Sequence, residues 1–136
     1  MKTLLIYVMV AVATAKVQAQ ITAYWKGGKP GCPNEWNCPA NWSNYRIPDS
    51  FTDVFILANE NMPCHYPVIH EAGCEANSLH IQPNAYLTFE KKGTLRVWDT
   101  STSQFEANQF RFKPGLDLDD RLITDKPWRM VGACRD

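Results

Sequence analysis

What the chain lacks rules out several classes of protein. Beyond residue 15 no stretch approaches the ~20 apolar residues of a membrane-spanning helix, so no span is expected in the mature chain. Neither sign of charge predominates: 14 Lys and Arg face 14 Asp and Glu. A balanced chain has no electrostatic reason to bind nucleic acid or anionic lipid. There is no serine elbow, no phosphate-cradling glycine loop and no His–Cys pairing that looks like a nucleophile site. No long amphipathic helical period appears outside the first 19 residues. The chain is therefore not read as an enzyme, and no catalytic residue, cofactor or metal is expected.

What is present begins with an export signal. Met1-Lys2 supplies a short basic start, and Leu4 to Ala15 is almost wholly apolar. That run has the length of a secretory h-region and is too short to span a bilayer. Val17-Gln18-Ala19 places small residues at −3 and −1, so cleavage is expected between Ala19 and Gln20. Loss of Lys2 and Lys16 leaves 12 basic residues against 14 acidic, a net charge of −2 on a mature chain of 117 residues, enough for one domain. The expected location is secreted or cell-surface, with the periplasm as an alternative. All five cysteines follow the signal, and an exported protein reads them first as disulfides. Cys32 with Cys38 and Cys64 with Cys74 are the nearest pairs. The pairing itself stays open, and Cys134, two residues from the end, is the odd one.

Three triplets organise the mature chain: Leu79-His80-Ile81, Leu87-Thr88-Phe89 and Leu95-Arg96-Val97. In each, two apolar residues flank a polar one, so the apolar pair shares one face. The triplets start eight residues apart, with Pro83-Asn84 and Lys92-Gly93 as turns between them. This pattern predicts an all-β fold: either a small up-and-down sheet or successive sides of a short β-solenoid. Further strands are expected near Ala23–Trp25, over Thr52 to Leu57, over Tyr66 to Ile69 and across 109–113. Phe105, Phe110, Phe112 and Trp128 are expected to cover the last apolar layer; otherwise the C-terminal end would mediate self-association. The expected divisions are 1–19 signal peptide, 20–50 Trp/Pro/Gly-rich cap, 51–113 strand repeats and 114–136 irregular tail. Trp25, Trp36 and Trp42 fall within eighteen residues. They are read as a buried plug, because a large aromatic in a small domain usually buries its area. The alternative is a ligand platform, for which Trp25, Trp36 and Trp98 are the candidates.

Four constellations carry a sharper reading beside a plain one. Cys64-His65, His70 and Cys74 offer two thiols and two imidazoles for zinc, but the spacing is not a standard finger and export favours a Cys64–Cys74 bond. Asp117, Asp119 and Asp120 are hard oxygen donors without the rest of a calcium loop, and read as a solvated turn. Glu71, Glu75 and Glu90 would be acids for glycoside cleavage only if two of them faced each other across a cleft. Asn41-Trp42-Ser43 matches a glycosylation acceptor, yet Asn41 is read as a turn former and Trp42 as a packing residue.

The order of features over residues 24–98 resembles a module of exported and cell-surface Bacteroidetes proteins. The resemblance rests on Trp25, Glu35-Trp36-Asn37, Pro39-Ala40-Asn41-Trp42-Ser43, Ile47-Pro48, Asp53-Val54-Phe55-Ile56, Tyr66-Pro67-Val68-Ile69, Cys74, Leu79-His80-Ile81, Asn84-Ala85-Tyr86-Leu87-Thr88 and Gly93-Thr94-Leu95. A more distant likeness is to the extracellular N-terminal part of amnionless. The resemblance implies a piece of right-handed β-helix in an adhesin-like protein, and no catalytic residues. This chain departs from the pattern by Asn84 where Gly is usual, by the additional Cys32/Cys38 pair, and by ending soon after one module without a sorting domain. That ending points to a small secreted or periplasmic protein, or a truncated frame. The expected function is a non-catalytic structural or adhesion module with an extracellular glycan or surface protein as partner. The alternatives are a carbohydrate-binding module and, behind it, a small polysaccharide-active enzyme.

Overall fold

A computed structural model describes residues 20–58, 65–90, 92–112 and 121–125. The expected signal peptide, Cys64, the Asp117/Asp119/Asp120 group, Trp128 and Cys134 lie outside the described residues. The described chain is all-β, with two single-turn 3-10 segments and no α-helix. Its strands are β1 (Ile21–Tyr24), β2 (Thr52–Ile56), β3 (Val68–Ile69), β4 (Cys74–Ala76), β5 (Ser78–Ile81), β6 (Leu87–Phe89), β7 (Leu95–Val97), β8 (Phe110–Phe112) and β9 (Leu122–Thr124).

These strands form three small open sheets, ordered β1-β2-β5, β3-β6-β8 and β4-β7-β9. Every strand pair in them is parallel. The three organising triplets are β5, β6 and β7, and each belongs to a different sheet. None pairs with another, which removes the up-and-down alternative. An antiparallel meander needs consecutive strands to be neighbours, and here the paired strands are 20 to 31 residues apart.

Register explains why the triplets read as they do. In the first sheet Ala23, Val54 and Leu79 are aligned and buried, as are Ile56 and Ile81. In the second, Ile69, Phe89 and Phe112 are aligned, as are Leu87 and Phe110. In the third, Cys74, Leu95 and Leu122 are aligned, and Ala76 meets Val97. Side chains alternate along a strand, so these aligned rows share one apolar core. The six triplet residues Leu79, Ile81, Leu87, Phe89, Leu95 and Val97 all lie in it, while His80 and Thr88 are half-buried and Arg96 is exposed.

Two strands escape the sequence reading. β4 is Cys-Glu-Ala, without a β-branched or aromatic residue, and β9 sits in the tail, where no period is visible. Both are held by parallel pairing to β7. Partners rather than local preference make them strands.

Turn chemistry sets the spacing. Asn84 has φ +72°, the left-handed region that Asn tolerates better than most residues. Gly93 answers a different demand: a Cβ there would collide with the Ile69 carbonyl oxygen. Phe110 is buried, and Phe105 and Phe112 pack against the core, with the Phe110 and Phe112 rings each 6.0 Å from Phe89.

Candidate functional site

The aromatic-rich segment 20–50 forms a layer on the leading edges of two sheets. β1 edges the first, and Glu35 bridges in parallel to Val68 of β3 in the second. Trp25, Trp36 and Trp42 belong to the core. Trp42 meets Trp25 and Trp36 edge-on at centroid distances of 5.1 and 4.8 Å. Its Nε1–H donates to the Trp36 carbonyl at 2.8 Å, and the Trp25 Nε1–H donates to the His65 carbonyl at 2.5 Å. Two of the three candidate ligand aromatics, Trp25 and Trp36, are therefore packing residues.

Asn41 organises the loop beneath them. It is fully buried, and its amide donates to the Cys32 carbonyl at 2.6 Å and the Glu35 carbonyl at 3.1 Å. Its Oδ1 accepts from the Lys29 backbone N–H at 3.1 Å. A buried amide with both ends engaged is a structural group, which agrees with the turn-former reading. Cys32 and Cys38 form a disulfide across the same loop. Cys74 differs from expectation: it is a free, buried thiol. Its Sγ faces Asn37 Oδ1 and the Glu71 carbonyl, each at 3.6 Å. Burial pushes its pKa up to about 11, against the opposing hydrogen bond to Asn37 and with help from the Glu71 charge. A thiol so held is a poor nucleophile.

Among the described residues no cluster of three His, Cys, Asp or Glu side chains has ligand geometry. His70 instead sits between two carboxylates, with Nε2 2.8 Å from Glu35 Oε1 and Nδ1 3.1 Å from Glu90 Oε2. The Nδ1 contact is not aligned as a hydrogen bond. The imidazole thus ties the leading layer to the chain after β6.

On the outer face of the first sheet, Tyr24, Phe55 and His80 stand in register. Their rings stack, Tyr24 on Phe55 at 5.1 Å and Phe55 on His80 at 4.3 Å with planes 6° apart. This row escaped the sequence reading, because only the pairing brings the three rings together.

Beside the row, the Ser78 hydroxyl donates to Asp53 Oδ1 at 2.7 Å and lies 3.1 Å from His80 Nε2. The order is wrong for a nucleophile, since Asp53 and not the imidazole takes the hydroxyl proton. Ser78 is also buried. Burial lowers the His80 pKa, with the Asp53 charge opposing it.

Each acid considered for glycoside cleavage has its own local partner. Asn37 Nδ2 donates to Glu71 at 2.9 Å, Glu90 faces His70, and Trp98 Nε1 donates to Glu75 at 2.8 Å. Trp98 is the third candidate ligand aromatic, and it is 44% exposed. It shares a shallow groove with Thr94, Arg96 and Ile123. Among the described residues no helix is long and apolar enough to cross a membrane. No family model, no curated protein and no solved structure matches this chain.

Proposed function

We propose that the chain is a non-catalytic, exported structural module of β-solenoid type that acts in adhesion at or near a cell surface. One observation carries this reading: the order in which strands enter the sheets. β2, β3 and β4 enter the first, second and third sheets in turn, and β5, β6 and β7 repeat that order. Gln104 then bridges to His80, and β8 and β9 extend the second and third sheets. From β2 onward, register partners are 20 to 27 residues apart. Strands that enter three sheets in a repeating order support a solenoid reading, and a solenoid is an architecture that offers long surfaces rather than deep clefts. In this reading the Trp25/Trp36/Trp42 layer is the cap that such a stack needs at its first end.

The Cys32–Cys38 bond supports an oxidising compartment, in keeping with the leader expected at 1–19. The separate partners of Glu71, Glu75 and Glu90 support a non-catalytic role. The likeness to cell-surface modules supports adhesion. The test is secretion of the full chain from its own leader, N-terminal sequencing, and NMR of the product. Expected are a first residue of Gln20, parallel cross-strand contacts joining Val54 to Leu79, Thr88 to Arg111 and Leu95 to Leu122, and retention on cell surfaces. An uncleaved intracellular chain, or polysaccharide hydrolysis abolished by substituting Glu71 or Glu90, would overturn the proposal.

A further inference from the structure

We propose that Arg96 and Trp98, the indole held by Glu75 on the outer face of the third sheet, form a subsite for an acidic saccharide, one bearing carboxylate or sulfate groups. The inference goes beyond the scaffold reading and stands without it. Among the described tryptophans, Trp25, Trp36 and Trp42 are buried and Trp98 alone is exposed. Its indole is nonetheless held in one orientation. The Nε1–H donates to Glu75 Oε2 at 2.8 Å, and the Arg96 guanidinium stands 4.1 Å from the ring centroid. An exposed aromatic fixed before a ligand arrives loses little side-chain entropy on binding.

The charges on this face are arranged to leave a cation available. Parallel register places Glu75, Arg96 and Ile123 in one row across β4, β7 and β9. Glu75 and Arg96 are direct neighbours of opposite sign, yet Glu75 bonds to the indole and Arg96 stacks on it. No carboxylate among the described residues lies within ion-pair distance of Arg96. The groove around them is open, about 350 Å³, and lined also by Gly73 and Thr94. An open groove suits a chain laid across the surface.

A saccharide matches these groups in kind. The C–H face of a sugar ring packs on an indole as other apolar surface does. A carboxylate or sulfate accepts paired N–H bonds from a guanidinium. Thr94 and the second oxygen of Glu75 supply polar partners for ring hydroxyls. A neutral sugar would leave the guanidinium without its anion, so charge is the specificity element.

The experiment is titration calorimetry on the full secreted chain with an oligogalacturonate, a heparin tetrasaccharide and cellotetraose. Binding is expected for the carboxylated or the sulfated oligomer, and which one binds identifies the acidic group. Cellotetraose should bind at least about ten-fold more weakly, as should the charged oligomer with Arg96→Ala, since a charge-assisted pair contributes roughly that factor. Trp98→Ala should lose binding, and Arg96→Lys should keep part of it. Arg96→Gln serves as a second charge-removing variant, and thermal melting verifies that each variant is folded. The proposal is overturned if neither charged oligomer binds at millimolar concentration, if cellotetraose binds equally well, or if folded Arg96→Gln and Trp98→Ala proteins bind like the native chain.

Discussion

Replacing Asn41 tests the account of the leading layer most directly. Asn41→Ala removes three hydrogen bonds: two donated to the Cys32 and Glu35 carbonyls and one accepted from Lys29 N–H. At roughly 0.5–1.5 kcal/mol of net stability each, the loss is about 2–4 kcal/mol. Domains of this size are stable by about 5–15 kcal/mol, so the effect is large. Asn41→Asp keeps the shape and should be worse at neutral pH. It places an anionic oxygen where the amide nitrogen now sits, 2.6 Å from one carbonyl oxygen and 3.1 Å from another. An uncompensated buried charge costs about 3–5 kcal/mol.

The pH dependence carries the sign of the argument. Burial among carbonyls favours the protonated acid, so the folded-state pKa of that carboxyl is raised above the unfolded ~4. Protonation also returns one donor. The deficit of Asn41→Asp relative to the native chain should therefore be small at low pH and grow as pH rises through the raised pKa. Urea unfolding followed by tryptophan fluorescence, with the Cys32–Cys38 bond intact, gives the midpoints at each pH. If Asn41→Asp unfolds at the native midpoint at pH 7, Asn41 is not the keystone of the loop, and the layer built on Trp25, Trp36 and Trp42 loses its anchor.

Leu87→Ala should destabilise by about 2–5 kcal/mol, because Leu87 is fully buried in the shared core; a Leu87→Asp protein that melts like wild type would remove the basis for that core. Gly93→Ala should lose about 1–3 kcal/mol or more in thermal or urea unfolding, since its Cβ would meet the Ile69 carbonyl; native stability would mean that the turn shifts freely. NMR titration of the His80 ring should give a midpoint below the ordinary ~6.5, because burial disfavours its charged form. The linked stability is then present at neutral pH and declines as pH falls below the unfolded value, while a midpoint at or above 6.5 would show that burial does not outweigh the Asp53 charge. Cys74 should stay unreactive toward Ellman's reagent at pH 8 until the chain is unfolded, given a pKa pushed up to about 11; prompt reaction in the native protein would contradict its burial.

The likeness of the three triplets and their separation by turns were enough to place six residues in the core, Leu79, Ile81, Leu87, Phe89, Leu95 and Val97. Alternation decides which side chains share a face, and that is a local property of an extended chain. Trp25, Trp36 and Trp42 were legible as a plug for a similar reason, since burying large rings is a strong preference in any fold. Asn41 and Asn84 were legible as turn residues, but only the structure shows the carbonyls that Asn41 bonds and the positive φ that Asn84 adopts. β4 and β9 were not legible, because Cys-Glu-Ala and Leu-Ile-Thr become strands through their pairing to β7.

By itself, then, the sequence determined the all-β class of fold and the inward and outward phase of each triplet, both matters of spacing along the chain; it offered Cys32–Cys38 and Cys64–Cys74 alike as nearest pairs, of which the structure forms the first. Tertiary structure alone decided what depends on contacts across it. Parallel pairing sent β5, β6 and β7 into three separate sheets instead of one. It left Cys74 a free thiol facing Asn37, set His70 between Glu35 and Glu90, and stacked Tyr24, Phe55 and His80 from three distant segments. It also withdrew Trp25 and Trp36 from solvent while leaving Trp98 outside beside Arg96. Identical residue types thus received opposite roles, because burial depends on which strand lies alongside, and that neighbour is tens of residues away in the chain.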